Sequence, residues 1–220
     1  ETWDGLPAAS FLLLDVEKDF YAREITRQIR GVVDVQLERF SKHSGVTLDI
    51  KTLIERLFIP NAKKAEYRSI FTAILSFLLE SKERAINLEL RSHYGGTLEP
   101  FLTHLFKGGL IFESLLKQQY GAAGHTLGNY LNEARVDLEL NSQIYRKKNG
   151  SFKFEDLPTH LRNWSTESFQ ERAVATAYAV RNTAGHDLAW QDVFNNGLYG
   201  QLFEGIVDAI FLTIKKAYIK

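Results

Sequence analysis

The chain has 220 residues, 45% hydrophobic and 25% charged, which is one ordinary globular protein with length enough to bury a sizeable core. Lys+Arg and Asp+Glu both number 27, so the formal charge cancels; this excludes the global basic field of a non-specific duplex-DNA coat and leaves room for a local phosphate pocket. Cysteine is absent, which excludes a disulfide scaffold, a cysteine zinc site, an iron–sulfur cluster and a thiol nucleophile.

The start, ETWDGLPAAS, lacks the basic and apolar regions of a signal peptide, and no apolar run reaches the ~18 residues of a membrane span. A cytoplasmic protein without membrane contact is expected. Methionine is missing even at position 1, so the chain is read as trimmed, with an upstream partner domain outside it.

Apolar residues recur at spacings of three and four nearly throughout, the helical signature. A first block spans about Ala8 to Lys42 through Leu13, Val16, Phe20, Ile25, Ile29 and Val33, with a break or kink expected at Gly31; Phe11–Val16 alone also suits a short buried strand. Gly45 ends that block. Thr47 or Asp49 then caps a short helix that stops before Pro60. Lys63 to about Arg91 reads as a long helix closed by His93-Tyr94-Gly95-Gly96. The next begins at Thr97, carries Pro100 in its first turn, and runs to about Tyr120. Gly108-Gly109 in its middle cost roughly 1 kcal/mol each relative to Ala, a cost that close packing of another backbone would explain.

Thr126 to about Leu140 is read as helix. Ile144-Tyr145, Lys147-Lys148-Asn149-Gly150 and Phe152-Lys153-Phe154 read as a small β-hairpin with an Asn-Gly turn. Helices follow over Asp156–Asn163, Ser165–Ala184 and Asn195–Tyr218. The last has two apolar stripes, one through Leu198, Leu202, Ile206, Ile210 and Ile214, the other through Tyr199, Phe203, Val207, Phe211 and Tyr218. That face is too wide for a surface helix, so a core or subunit-interface helix is expected. The class is mostly α, with residues 1–95 an N-terminal helical region and 96–220 a second helical domain, or the two one continuous domain.

No P-loop, GxGxxG, HExxH or GxSxG pattern occurs, and the six histidines show no paired ligand spacing. Glu80-Ser81-Lys82 has the Glu-x-Lys form of some metal nucleases but lies inside a helix. Asp15, Glu17 and Asp19 read as a solvated face or first turn. One segment remains: Ala179-Val180-Arg181-Asn182-Thr183-Ala184-Gly185-His186-Asp187. An Arg and a His together suffice to cleave RNA. The His exchanges protons with the 2′-hydroxyl or the leaving oxygen, and the Arg stabilises charge on the phosphorus oxygens. On an unbroken helix residues five apart diverge by about 140°; Gly185 offers the helix end that lets His186 fold back toward Arg181. Asn182 is a polar support for either. Of the 13 arginines only Arg181 has His five residues later, and chance supplies Arg-Asn-x-x-x-His about 0.02 times in such a chain. The plain alternative is a helix end closed by Gly, with His near the negative end of the dipole.

Arg181-Asn182-Thr183-Ala184-Gly185-His186 resembles the R-N-x-x-x-H signature of the HEPN superfamily, all-α domains in which the motif ends a long helix and a closing helix follows. Lys107-Gly108-Gly109-Leu110-Ile111-Phe112-Glu113-Ser114-Leu115-Leu116-Lys117 is similar to a helix of the CRISPR-associated branch, the ancillary ribonucleases of type III systems. The resemblance covers the last 120 residues, and its specific part is the six-residue motif. It implies a HEPN-like bundle, to which the residue pattern itself adds extra N-terminal helices and one small β-hairpin. It also implies a metal-independent, cofactor-free endoribonuclease of antiviral defence that acts on single-stranded RNA and leaves a 2′,3′-cyclic phosphate. Arg181 and His186 would be catalytic, with Asn182 orienting. Family members pair two motifs in one groove, so a homodimer is implied. An upstream sensor for cyclic oligoadenylate is implied as well, though no alternating strand–helix pattern for it occurs in this chain. Lys147 and Lys148 are candidate phosphate contacts, with a solvated hairpin tip as the alternative. Tyr199 suits base stacking, but its stripe says core. Competing classes are a non-catalytic HEPN-like nucleotide- or RNA-binding module, or a toxin–antitoxin interaction module, and an unrelated helical scaffold.

Overall fold

The structure, a computed structural model, describes residues 20–95, 98–140, 168–184 and 196–219. Among these the regular structure is helical throughout, without a strand. The expected hairpin over 144–154, with Lys147 and Lys148, lies outside the described residues, as do the alternative strand Phe11–Val16, the acidic run Asp15–Asp19 and the helix at 156–163. No described helix is long and apolar enough to cross a membrane. The chain divides into two compact units after Glu80.

In the first unit, α1 (Phe20–Ser44) passes through Gly31 without a break. Glycine lowers helix stability by roughly 1 kcal/mol but does not end a helix whose flanks are buried, and Ile29, Val32, Val33, Leu37 and Phe40 give α1 such a face. Gly45 closes it at φ +69°, and Ser41 Oγ accepts from Leu48 N–H at 3.3 Å, tying the following turn back to the helix. Asp49 rather than Thr47 caps α2 (Ile50–Leu53), its carboxylate accepting from Thr52 N–H at 2.7 Å; those hydrogen bonds hold it below the usual carboxylate range. The helix does not stop before Pro60. A wide π turn over Ile54–Phe58 carries it into α3 (Ile59–Asn61). Proline lacks only its own N–H, and the wide turn resets the ladder ahead of it. The aromatic rings of Phe58 and Phe71 meet with centroids 4.7 Å apart. α4 (Ala65–Tyr94) buries Phe71, Ile74, Leu75, Phe77 and Leu78 within this unit.

The second unit starts inside α4, whose end is closed by Gly95 at φ +79° with its N–H on Arg91 C=O. Glu80-Ser81-Lys82 sits within α4, as expected of a structural segment. α5 (Glu99–Tyr120) has Pro100 in its first turn. α6 is shorter than its apolar spacing implied, Leu127–Ala134 instead of reaching Leu140. Leu131, Ala134 and Leu138 keep helical spacing and are fully buried. Past Arg135, however, the chain turns: Arg135 Nε donates to Leu140 C=O at 3.1 Å and Glu139 takes φ +56°. α7 (Phe169–Ala184) opens with Ser168, whose hydroxyl accepts from Glu171 N–H. α8 spans Asn196–Thr213 and ends in a π turn over Ile214–Tyr218.

α5, α7 and α8 pack pairwise, and α6 packs on α5. Small residues set the spacing. A Cβ on Gly109 of α5 would lie 2.8 Å from Arg181 Cβ and 3.0 Å from its Cα; one on Gly205 of α8 would lie 2.7 Å from Thr176 Cγ2. The glycine cost anticipated at Gly108-Gly109 is thus met, at Gly109, by close backbone approach. Both stripes are buried in the chain itself apart from half-buried Tyr218, with Leu202, Ile206 and Val207 completely so. α8 is a core helix, the first of the two roles its apolar width allowed. The Tyr199 hydroxyl is 2.9 Å from His104 Nδ1 and the ring of Phe203 stacks on that imidazole. Buried polar tips find partners in this way, so Tyr199 belongs to the core.

Candidate functional site

Arg181 occupies the last turn of α7, and the glycine at position 109 brings its backbone against α5. One turn further along α5, Glu113 faces it. Arg181 Nε donates to Glu113 Oε2 at 2.7 Å, and Nη2 donates to Oε1 at 3.2 Å. The pair is fork-on-fork, the geometry that gives both strength and orientation. The two side chains keep 30% and 17% of their exposure, so solvent screens them only in part. Arg181 Nη1 donates to Asn182 Oδ1 at 3.2 Å. A guanidinium has five N–H donors. Three are occupied here, and among the described residues the remaining two, one on each terminal nitrogen, have no acceptor. Arg181 is therefore locked in direction, while part of its edge meets no acceptor among the described residues.

Arg181 lines a cavity of about 370 Å³, within the ~300–1,000 Å³ range of small-ligand sites. α7 contributes Tyr178, Arg181 and Asn182; α5 contributes Glu113; the approach to α6 contributes His125 and the first turn of that helix. Thr126 caps α6 by accepting from Asn129 N–H, so its hydroxyl is engaged by the fold. The helix start adds the positive end of a dipole to the wall. The cavity thus gathers one guanidinium with its paired carboxylate, one imidazole, one phenol and the two carboxamides of Asn129 and Asn182. That set suits an oxyanion with a proton to move.

The structure therefore places Arg181 and Asn182 together, in contact and on the same cavity. His186 lies outside the described residues, as do Lys147 and Lys148. Glu113 and His125 are on the cavity and had no site role in the sequence reading. Glu113 stood in the quoted 107–117 segment, but nothing in a linear pattern pairs residue 113 with 181. His125 was one of six histidines, and its only local signal is the Thr126 cap that follows it. Elsewhere in the unit, Tyr120 donates to Asp137 at 2.6 Å, and burial together with that carboxylate pushes its phenol well above the usual range. This contact ties α5 to the turn after α6. Among the described residues no group of three or more His, Asp or Glu gathers as metal ligands would.

Comparison of the chain with protein-family models, with curated proteins and with solved structures finds no match.

Proposed function

We propose that the chain is a metal-independent endoribonuclease acting on single-stranded RNA. The observation that carries the reading is Arg181 at the end of α7, fixed by Glu113 and Asn182 on the wall of a cavity, with two donors that have no acceptor among the described residues. Arg181 would bind the non-bridging oxygens of a phosphodiester and stabilise the charge that builds as the 2′-oxygen attacks. His186, five residues on in sequence, would transfer the proton, and Asn182 would hold the guanidinium. The defence setting, the paired motifs and an upstream sensor for cyclic oligoadenylate follow from the family resemblance alone and are part of this proposal.

The test is incubation of the purified chain with end-labelled single-stranded RNA in excess EDTA. Cleavage is expected to persist, with 2′,3′-cyclic phosphate ends, and Arg181→Ala and His186→Ala are each expected to slow it by at least roughly 10²-fold. Loss of all activity in EDTA with recovery in Mg²⁺ or Mn²⁺ removes the mechanism. A second reading, a non-catalytic HEPN-like binding module, is favoured by one observation: Glu113 already neutralises Arg181, as a packing role would require. It predicts that Arg181→Ala lowers the melting temperature and that no RNA is cut by the parent chain.

A further inference from the structure

We propose that His125 completes the Arg181 site as a second catalytic imidazole, contacting the phosphate that Arg181 holds and carrying one of the two protons of the reaction. This rests on the ribonuclease reading and adds a residue that the Arg-Asn-x-x-x-His motif does not contain. Transesterification moves two protons in opposite directions. A base removes the 2′-hydroxyl proton as the 2′-oxygen–phosphorus bond forms. An acid protonates the 5′-oxygen as the phosphorus–5′-oxygen bond breaks. One proton is taken and one returned, so the products, a 2′,3′-cyclic phosphate and a 5′-hydroxyl, need no co-reactant. Two groups that exchange protons near neutral pH do this more directly than one.

The described cavity wall narrows the choice of that second group. Glu113 is committed to both edges of its ion pair with Arg181. Thr126 serves as the α6 cap. Arginine stays protonated, the carboxamides of Asn129 and Asn182 do not titrate, and a phenol, the side-chain type at Tyr178, ordinarily gives up its proton only in alkaline solution. Histidine is the side chain whose ordinary titration falls near neutrality, and His125 stands exposed on the same cavity as Arg181 and Asn182, at the positive end of α6. An approaching phosphodiester oxygen would meet the guanidinium from α7 and the imidazole from the α6 approach within one space.

The experiment compares pH–rate profiles of the parent chain, His125→Ala and His125→Gln on single-stranded RNA in EDTA. It is paired with NMR of the imidazole signals during titration with inorganic phosphate. The parent should give a bell-shaped profile. His125→Ala should lose at least roughly 10²-fold in kcat with KM little changed, lose one limb of the bell, and regain part of its rate when free imidazole is added. Arg181→Ala should show no such rescue. A parent that cleaves RNA while His125→Ala matches its rate and profile overturns the proposal and leaves the ribonuclease reading standing. A slow His125→Ala with both limbs intact and no rescue also overturns it, because that is a structural effect. A parent that cleaves no RNA under any condition removes the ribonuclease reading, and the catalytic role of His125 with it. In that case phosphate-induced movement of the His125 signals, lost in Arg181→Ala, would show a shared anion site that does no chemistry on RNA.

Discussion

At the scale of single residues, the site depends on a charge that is pointed before substrate arrives. Arg181 has a long side chain with many rotamers, and ordering it costs entropy that Glu113 offsets in advance by gripping Nε and Nη2. Glu113→Ala removes the grip. A guanidinium displaced by about 1 Å can cost a reaction 10²-fold, so kcat on RNA should fall by roughly 10- to 10²-fold. KM should fall or stay level, because a negative charge has left the cavity. Glu113→Gln, which keeps the reach but not the charge, should lie between. Single-turnover cleavage beside a thermal melt checks both. Full activity in a folded Glu113→Ala chain would show that Arg181 needs no positioning.

At the scale of elements, three glycines in helices have different reasons to be there, and the difference can be measured. Gly31 in α1 is exposed, with nothing within 4 Å of an added Cβ. Gly31→Ala should therefore stabilise by up to about 1 kcal/mol through propensity. Gly109 meets the backbone and Cβ of Arg181. Neither can swing away as a flexible side-chain end would, so Gly109→Ala must part α5 from α7 and should cost about 1–3 kcal/mol. Gly205→Ala presses on the Thr176 side chain and should destabilise less than Gly109→Ala. Urea denaturation of the three variants gives the ranking. RNA cleavage gives a second check, since Gly109→Ala moves Arg181 itself and should slow cleavage beyond its effect on stability. A Gly109→Ala chain as stable as the parent would mean the two helices are not held at this distance.

For the whole molecule, the open matter is how many copies make one site. The family resemblance implies paired motifs, and isologous dimers are the commonest oligomers. The apolar width of α8 no longer argues for that pairing, because the chain buries both stripes itself apart from half-buried Tyr218. Mixing answers the question directly. If Arg181 and His186 from two chains share one groove, hybrids of Arg181→Ala and His186→Ala chains should cleave at a rate different from either mutant alone. A parent chain that sediments as a monomer at full activity would end the composite-site idea and place the chemistry within one unit.

The sequence by itself determined the helical class, most helix starts and the candidate motif, because these depend on neighbours within a few positions. Asp49 and Gly45 act through adjacent backbone, and the i, i+3, i+4 rhythm of α8 survives whatever it packs against. Local rules failed where tertiary packing outweighed them: the run past Pro60, and the early end of α6, where apolar spacing continues through buried Leu138 after the helix has stopped. The motif marked Arg181 and Asn182. Only tertiary structure decided that Glu113, 68 positions earlier, would grip that arginine, and that His125 would stand on the same cavity. The physical reason is one close approach. With no side chain at position 109, α5 lies against the backbone of Arg181, and a contact between residues so distant in sequence leaves no periodic trace in either segment.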